Sequence, residues 1–139
     1  MNRTGKCLCG AVQYTAKGVK SEMSACHCGM CRRWAGGPFL AVSCDEVDWS
    51  AGAAPKVLKT SSWAERGFCE ACGSAMFYRI TADGPMKGAT TVAFGTLDDQ
   101  AGFAIVREFY VDLKPDAYTL EGEREGLTEA QINAMFGVG

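Results

Sequence analysis

Seven of the eight cysteines in this 139-residue chain fall into three tight groups. They read Cys7-Leu8-Cys9-Gly10, Cys26-His27-Cys28-Gly29-Met30-Cys31 and Cys69-Glu70-Ala71-Cys72-Gly73, with Cys44 alone. In an oxidising compartment such a count suggests disulfides, whereas in a reducing one clustered thiols point to metal or catalysis. The first ten residues are polar and glycine-bearing, without the charged and apolar regions of a signal peptide. No apolar run approaches the roughly 18–20 residues that span a bilayer. A cytoplasmic location is therefore expected, with no membrane partner, and the thiols read as metal ligands.

Zinc favours four ligands in a tetrahedron, and closed four-cysteine sites are usually structural. Cys69 and Cys72, two residues apart and followed by Gly73, form a tight knuckle that supplies two ligands. Cys7 and Cys9, followed by Gly10, are the natural complement: on a strand, positions i and i+2 share a face. Closing so long a loop costs entropy, which metal binding coupled to folding can offset. The competing reading is two unrelated buried thiol pairs, or one redox-active pair.

Cys26, Cys28 and Cys31 can surround one ion but have no fourth cysteine nearby. A catalytic zinc keeps a position open for water or substrate, and three thiolates without an obvious fourth have that pattern. Cys44 and His27 are the two residues that could close it. His27, between two ligands, has too short a reach to bind the same ion easily. Cys44, in a strand-like run with Ala41 and Val42, reads as a small buried apolar residue. Zinc with three thiolates is a weak Lewis acid for making hydroxide, so a substrate sulfur is the expected fourth ligand. The thiolate is the nucleophilic form of a thiol.

Arg32 and Arg33 follow Cys31, and Arg66 precedes Cys69. They read either as a solvated face that offsets thiolate charge or as a bidentate clamp for substrate carboxylates. Trp34, Gly36, Gly37, Pro38 and Phe39 come next, as a loop beside the open position. Trp34 and Phe39 are either packed there or stacked on a ligand.

The remainder of the chain reads as one mainly β domain over residues 1–139. Segments of strand length carry β-branched and aromatic residues at Ala11–Ala16, Pro38–Ser43, Val57–Thr60, Met76–Ile80, Thr90–Phe94 and Ala104–Val111. The pattern predicts mostly antiparallel pairing. A short C-terminal helix is signalled by a capping box at Thr128 and Gln131 and a staple at Leu127 and Ile132. Gly137 is its expected stop, and Ile132, Met135 and Phe136 its expected docking residues. With 14 basic against 16 acidic residues and a pI near 5.4, no basic stripe is available for phosphates, so nucleic acid is not an expected partner.

The order Gly5-x-Cys7-x-Cys9-Gly10, Cys26-His27-Cys28-x-x-Cys31-Arg32 and Arg66-x-Phe68-Cys69-x-x-Cys72-Gly73-Ser74 resembles the glutathione-dependent formaldehyde-activating enzyme family, which includes centromere protein V. The resemblance covers roughly residues 3 to 120. It implies an antiparallel β-tent fold and two zinc ions per chain. The structural ion would be held by Cys7, Cys9, Cys69 and Cys72, and the catalytic one by Cys26, Cys28 and Cys31. The activity it implies is a carbon–sulfur lyase making S-(hydroxymethyl)glutathione from glutathione and formaldehyde. From the residues themselves, and not from the resemblance, Arg32, Arg33 and Trp34 are the candidate substrate-binding residues. Many relatives carry a histidine near residues 107 to 112; here the run is Arg107-Glu108-Phe109-Tyr110-Val111-Asp112, and His27 is the only histidine. The alternative function is a zinc-stabilised module that binds glutathione or a partner without turnover.

Overall fold

The computed structural model describes residues 1–136. These hold eleven strands in two sheets and two short helices. The mainly β expectation holds, and all six predicted strands are present with ends shifted by a few residues. Two compact units divide the chain, and the division falls within one strand, β4 (Phe39–Cys44).

The first unit comprises residues 1–21 and 42–103. Its strands β1 (Arg3–Lys6), β2 (Gln13–Lys17) and β5 (Glu46–Asp48) form an antiparallel three-stranded sheet in the order β1-β2-β5. Strands β6 (Lys56–Lys59), β7 (Ala64–Phe68), β8 (Ala75–Ile80) and β9 (Thr90–Ala93) follow as successive antiparallel pairs. Alternation places Tyr14 and Ala16 of β2 inward, and Met76, Phe77 and Val92 are likewise buried. Trp49 joins the two sets of strands, its ring centroid 5.1 Å from Tyr14 and 5.3 Å from Phe77. The Tyr14 hydroxyl, buried with its ring, meets Thr96 Oγ1 at 2.7 Å. Gly67 on β7 lies under the Phe77 ring, in space that a Cβ would have to share with it.

The second unit comprises residues 22–41 and 104 onward. Here β10 (Ala104–Phe109) lies between β3 (Glu22–Cys26) and β11 (Glu125–Leu127), parallel to both. Side chains alternate with the same period of two in parallel and antiparallel strands, so the sequence pattern carries no signal of direction. Helix α1 (Gly29–Ala35) occupies part of the stretch read as a loop. Helix α2 (Glu129–Phe136) begins with the predicted capping box: Gln131 Oε1 accepts from Thr128 N at 2.8 Å, and Thr128 Oγ1 accepts from Gln131 N at 3.3 Å. Ile132 is buried as expected and Phe136 is half-buried. Met135 is 65% exposed, a correction to its expected docking role, because it falls on the outward face of a two-turn helix. Gly137 lies outside the described residues. Among the described residues no helix is long and apolar enough to cross a membrane.

Candidate metal centres

The Sγ atoms of Cys7, Cys9, Cys69 and Cys72 all lie within 4.8 Å of one another. Cys7 and Cys9 do not share a strand face as the spacing suggested, because β1 ends at Lys6 and the pair sits in the turn that follows. Gly10, at φ 82°, closes that turn, and its N–H donates to the Cys7 carbonyl at 3.1 Å. Cys69 to Gly73 make an equivalent turn between β7 and β8: Gly73, at φ 79°, donates to the Cys69 carbonyl at 2.8 Å. Left-handed φ favours glycine in both places, since a side chain there would be strained.

Backbone N–H groups point at the sulfurs. Val12 N donates to Cys7 Sγ at 3.3 Å, and Cys72 N to Cys69 Sγ at 3.4 Å. The spacing of the sulfurs then decides between chemistries. Cys7 and Cys9 Sγ are 3.6 Å apart and Cys9 and Cys69 Sγ 3.8 Å, too far for disulfides, whose S–S bond is about 2.05 Å. A tetrahedron with zinc–sulfur distances of about 2.3 Å has edges of about 3.8 Å. The four thiols fit zinc.

Their acidities are unequal. The Ser74 hydroxyl, 3.1 Å from Cys72 Sγ, and the Ser74 backbone pull the Cys72 thiol down to about 5. Burial pushes Cys7 up, but the Val12 N–H and the Cys9 and Cys69 thiols outweigh it, and Cys7 is lowered. A backbone hydrogen bond from Ala11 pulls Cys9 down, yet the neighbouring thiols of Cys7, Cys72 and Cys69, with burial, push it up to about 11. Thiolates so close repel one another, which a shared cation relieves. Ser74 also accepts the Leu8 N–H at 3.0 Å and so ties the two turns together; sequence reasoning gave it no role.

The second cluster is built from the end of β3 and the start of α1. Cys26 ends the strand opposite Phe109, and Cys28 is the N-cap of α1, its sulfur accepting from Cys31 N at 3.3 Å. Gly36 ends the helix, donating to the Arg32 carbonyl at 2.9 Å. The three Sγ atoms lie within 4.8 Å of one another, with Cys28 and Cys31 buried and Cys26 half-buried. The thiols of Cys28 and Cys31, then burial, push the Cys26 thiol up. The donor set fits a soft metal such as zinc with three protein ligands.

As the sequence reading favoured, neither Cys44 nor His27 joins this cluster. Cys44 is buried at the end of β4, its Sγ 3.8 Å from the Thr90 carbonyl. His27 is fully buried with both ring nitrogens engaged: Nδ1 meets the Tyr118 hydroxyl at 2.9 Å and Nε2 meets Glu108 Oε1 at 2.7 Å. Glu108 Oε2 in turn accepts from Arg124 Nη1 at 2.7 Å. Burial raises Glu108, but Arg124 and His27 outweigh it and hold its carboxyl below the usual range. Tyr118, Glu108 and Arg124 lie 91, 81 and 97 residues from His27, and no sequence signal joins them.

Arg32 and Arg33 lie on α1, where Arg32 Nε donates to the His27 carbonyl at 2.9 Å and Arg33 Nη1 to the Gly29 carbonyl at 3.3 Å. Trp34 packs on Phe39, with ring centroids 5.0 Å apart. Arg66 is in the other unit, buried on β7, where Nε meets Thr60 Oγ1 at 3.1 Å and the guanidinium lies 5.1 Å from the Tyr78 ring centroid.

A profile of the family described as "Glutathione-dependent formaldehyde-activating enzyme" matches residues 2–113, and the chain belongs to that family. An uncharacterized lyase of Schizosaccharomyces pombe is 30% identical over 138 residues, covering 92% of each chain. A crystal structure of a Rhodobacter sphaeroides protein has the same fold, with a TM-score of 0.57 over 68% of this chain and 87% of its own. That protein is 21% identical to this one.

Proposed function

We propose that this chain is a zinc-dependent carbon–sulfur lyase that joins the thiol of glutathione to formaldehyde or a similar small aldehyde, giving an S-(hydroxymethyl) adduct. Family membership and the lyase-named yeast relative support the reaction class. The observation that carries the reading is the contrast between a group of four thiols and a group of three. Four satisfy a tetrahedral ion; three leave one position for a ligand from outside. Zinc at Cys26, Cys28 and Cys31 would supply a soft site that favours the thiolate form of an incoming thiol. In this reading Cys7, Cys9, Cys69 and Cys72 hold the structural ion of a single 139-residue domain.

The addition forms one S–C bond, and the aldehyde oxygen takes up the proton that the thiol gives up. Arg32 and Arg33 would hold the tripeptide's carboxylates, each with donors left beyond its one helix or loop carbonyl. Trp34, anchored on Phe39, would give the bound thiol an apolar wall. Free thiols add to formaldehyde unaided, so holding both reactants together supplies most of the rate gain.

Two-dimensional exchange NMR of glutathione, formaldehyde and their adduct tests the proposal. Zinc-loaded protein should accelerate the exchange, and Cys28→Ser should abolish the acceleration. Two bound zincs with no acceleration would instead favour a module that binds without turnover.

A further inference from the structure

His27 is held at every polar atom it has. Its N–H donates to the Phe109 carbonyl at 3.0 Å, its carbonyl accepts from Arg32 Nε at 2.9 Å, and its ring meets Tyr118 and Glu108. The Glu108 carboxylate only accepts, so Nε2 carries the proton in that contact. Glu108 is itself fixed by Arg124, whose Nε donates to the Ile105 carbonyl at 3.1 Å and whose Nη2 reaches the Glu121 carbonyl. His27 is fully buried and its partners half-buried, so the loss of either ring partner leaves a buried imidazole nitrogen unpaired. His27 is also the one residue between Cys26 and Cys28, so the position of its backbone sets the separation of two sulfurs.

We infer that His27 is a positioning residue for the three-thiol centre, neither ligand nor acid–base group, with Glu108, Arg124 and Tyr118 as its outer support. This rests on the reading of Cys26, Cys28 and Cys31 as metal ligands. Pairing of Cys26 and His27 with β10, and the contact with Tyr118, hold the cysteine-bearing segment independently of an ion. Groups that orient metal ligands from outside typically change affinity by about 10- to 100-fold when removed.

His27→Ala would open a cavity and is a poor probe on its own. Tyr118→Phe and Glu108→Gln keep the volume and remove one partner or one charge. Each variant and the parent would be titrated with Co(II), read by sulfur-to-cobalt charge-transfer absorption, and with Zn(II) against a chromophoric chelator. Cys28→Ser identifies which binding phase belongs to the three-thiol centre. Both variants should weaken that phase about tenfold and alter its cobalt spectrum, with the four-thiol phase unchanged. Loss of thermal stability with an unaltered spectrum and affinity would overturn the inference, leaving a purely structural network. A parent protein that takes up only one ion would overturn the three-thiol metal centre itself, and this inference with it.

Discussion

Glu108 Oε1 lies 2.7 Å from Nε2 of His27, so a carboxylate on β10 is joined to the residue that separates Cys26 from Cys28. The same carboxylate pairs with Arg124 at 2.7 Å, and the side chains of Glu108 and Arg124 are only 15% and 11% exposed. Unlike a pair on open surface, this one is shielded from solvent, and removing one partner strands the other.

A pH dependence follows. Glu108 is held below the ordinary glutamate value of about 4.3, so its contribution to stability is complete above that value and is lost as pH falls through the lower folded one. Glu108→Gln should cost on the order of 1–2 kcal/mol near pH 7. In urea unfolding, with zinc content counted at each pH and matched between parent and variant, the gap between them should narrow below about pH 4. A gap that stays constant down to pH 3 would mean that the charge on Glu108 does not stabilise the fold.

The two thiol groups should respond differently to loss of a ligand. Cys69→Ser should destabilise the protein by at least about 3 kcal/mol, or about 10 °C in Tm, because a structural ion contributes folding energy. Cys28→Ser should fold and keep one zinc. Thermal melts with zinc counts on the same samples decide it. Equal destabilisation would contradict the division into structural and catalytic ions.

Ser74 supports the four-thiol group from outside, its hydroxyl donating to Cys72 and accepting from Leu8 N. Ser74→Ala should raise the Cys72 thiol from about 5 and weaken zinc at that site by about tenfold, measured by chelator competition. The second zinc should be unaffected.

Packing gives a metal-independent prediction. A Cβ at Gly67 would collide with the Phe77 ring, which is itself buried between β-strand neighbours, so Gly67→Ala should cost about 1–3 kcal/mol. Gly37→Ala meets nothing within 4 Å and serves as the neutral control in the same thermal melts.

The cysteine groups and six strands were legible because ligand spacing and alternation are local patterns. β7 escaped because Ala64-Glu65-Arg66-Gly67-Phe68 looks polar, although Arg66 is buried with its guanidinium over the Tyr78 ring and Gly67 under Phe77. Helix α1 escaped because its N-cap is Cys28, where Ser, Thr, Asp or Asn would have marked a helix start. The partners of His27 escaped because they come from strands and turns more than 80 residues further along the chain. No periodicity encodes such a contact.

Zinc-edge X-ray absorption of the two-zinc protein, before and after addition of glutathione, tests the central claim most directly. Four thiolates at one ion and three at the other average about 3.5 sulfurs per zinc, and a substrate sulfur at the open position raises this to about 4. That increase, absent in Cys28→Ser, is the predicted result. A sulfur count that glutathione leaves unchanged would contradict an open three-thiol centre that takes its fourth ligand from the substrate.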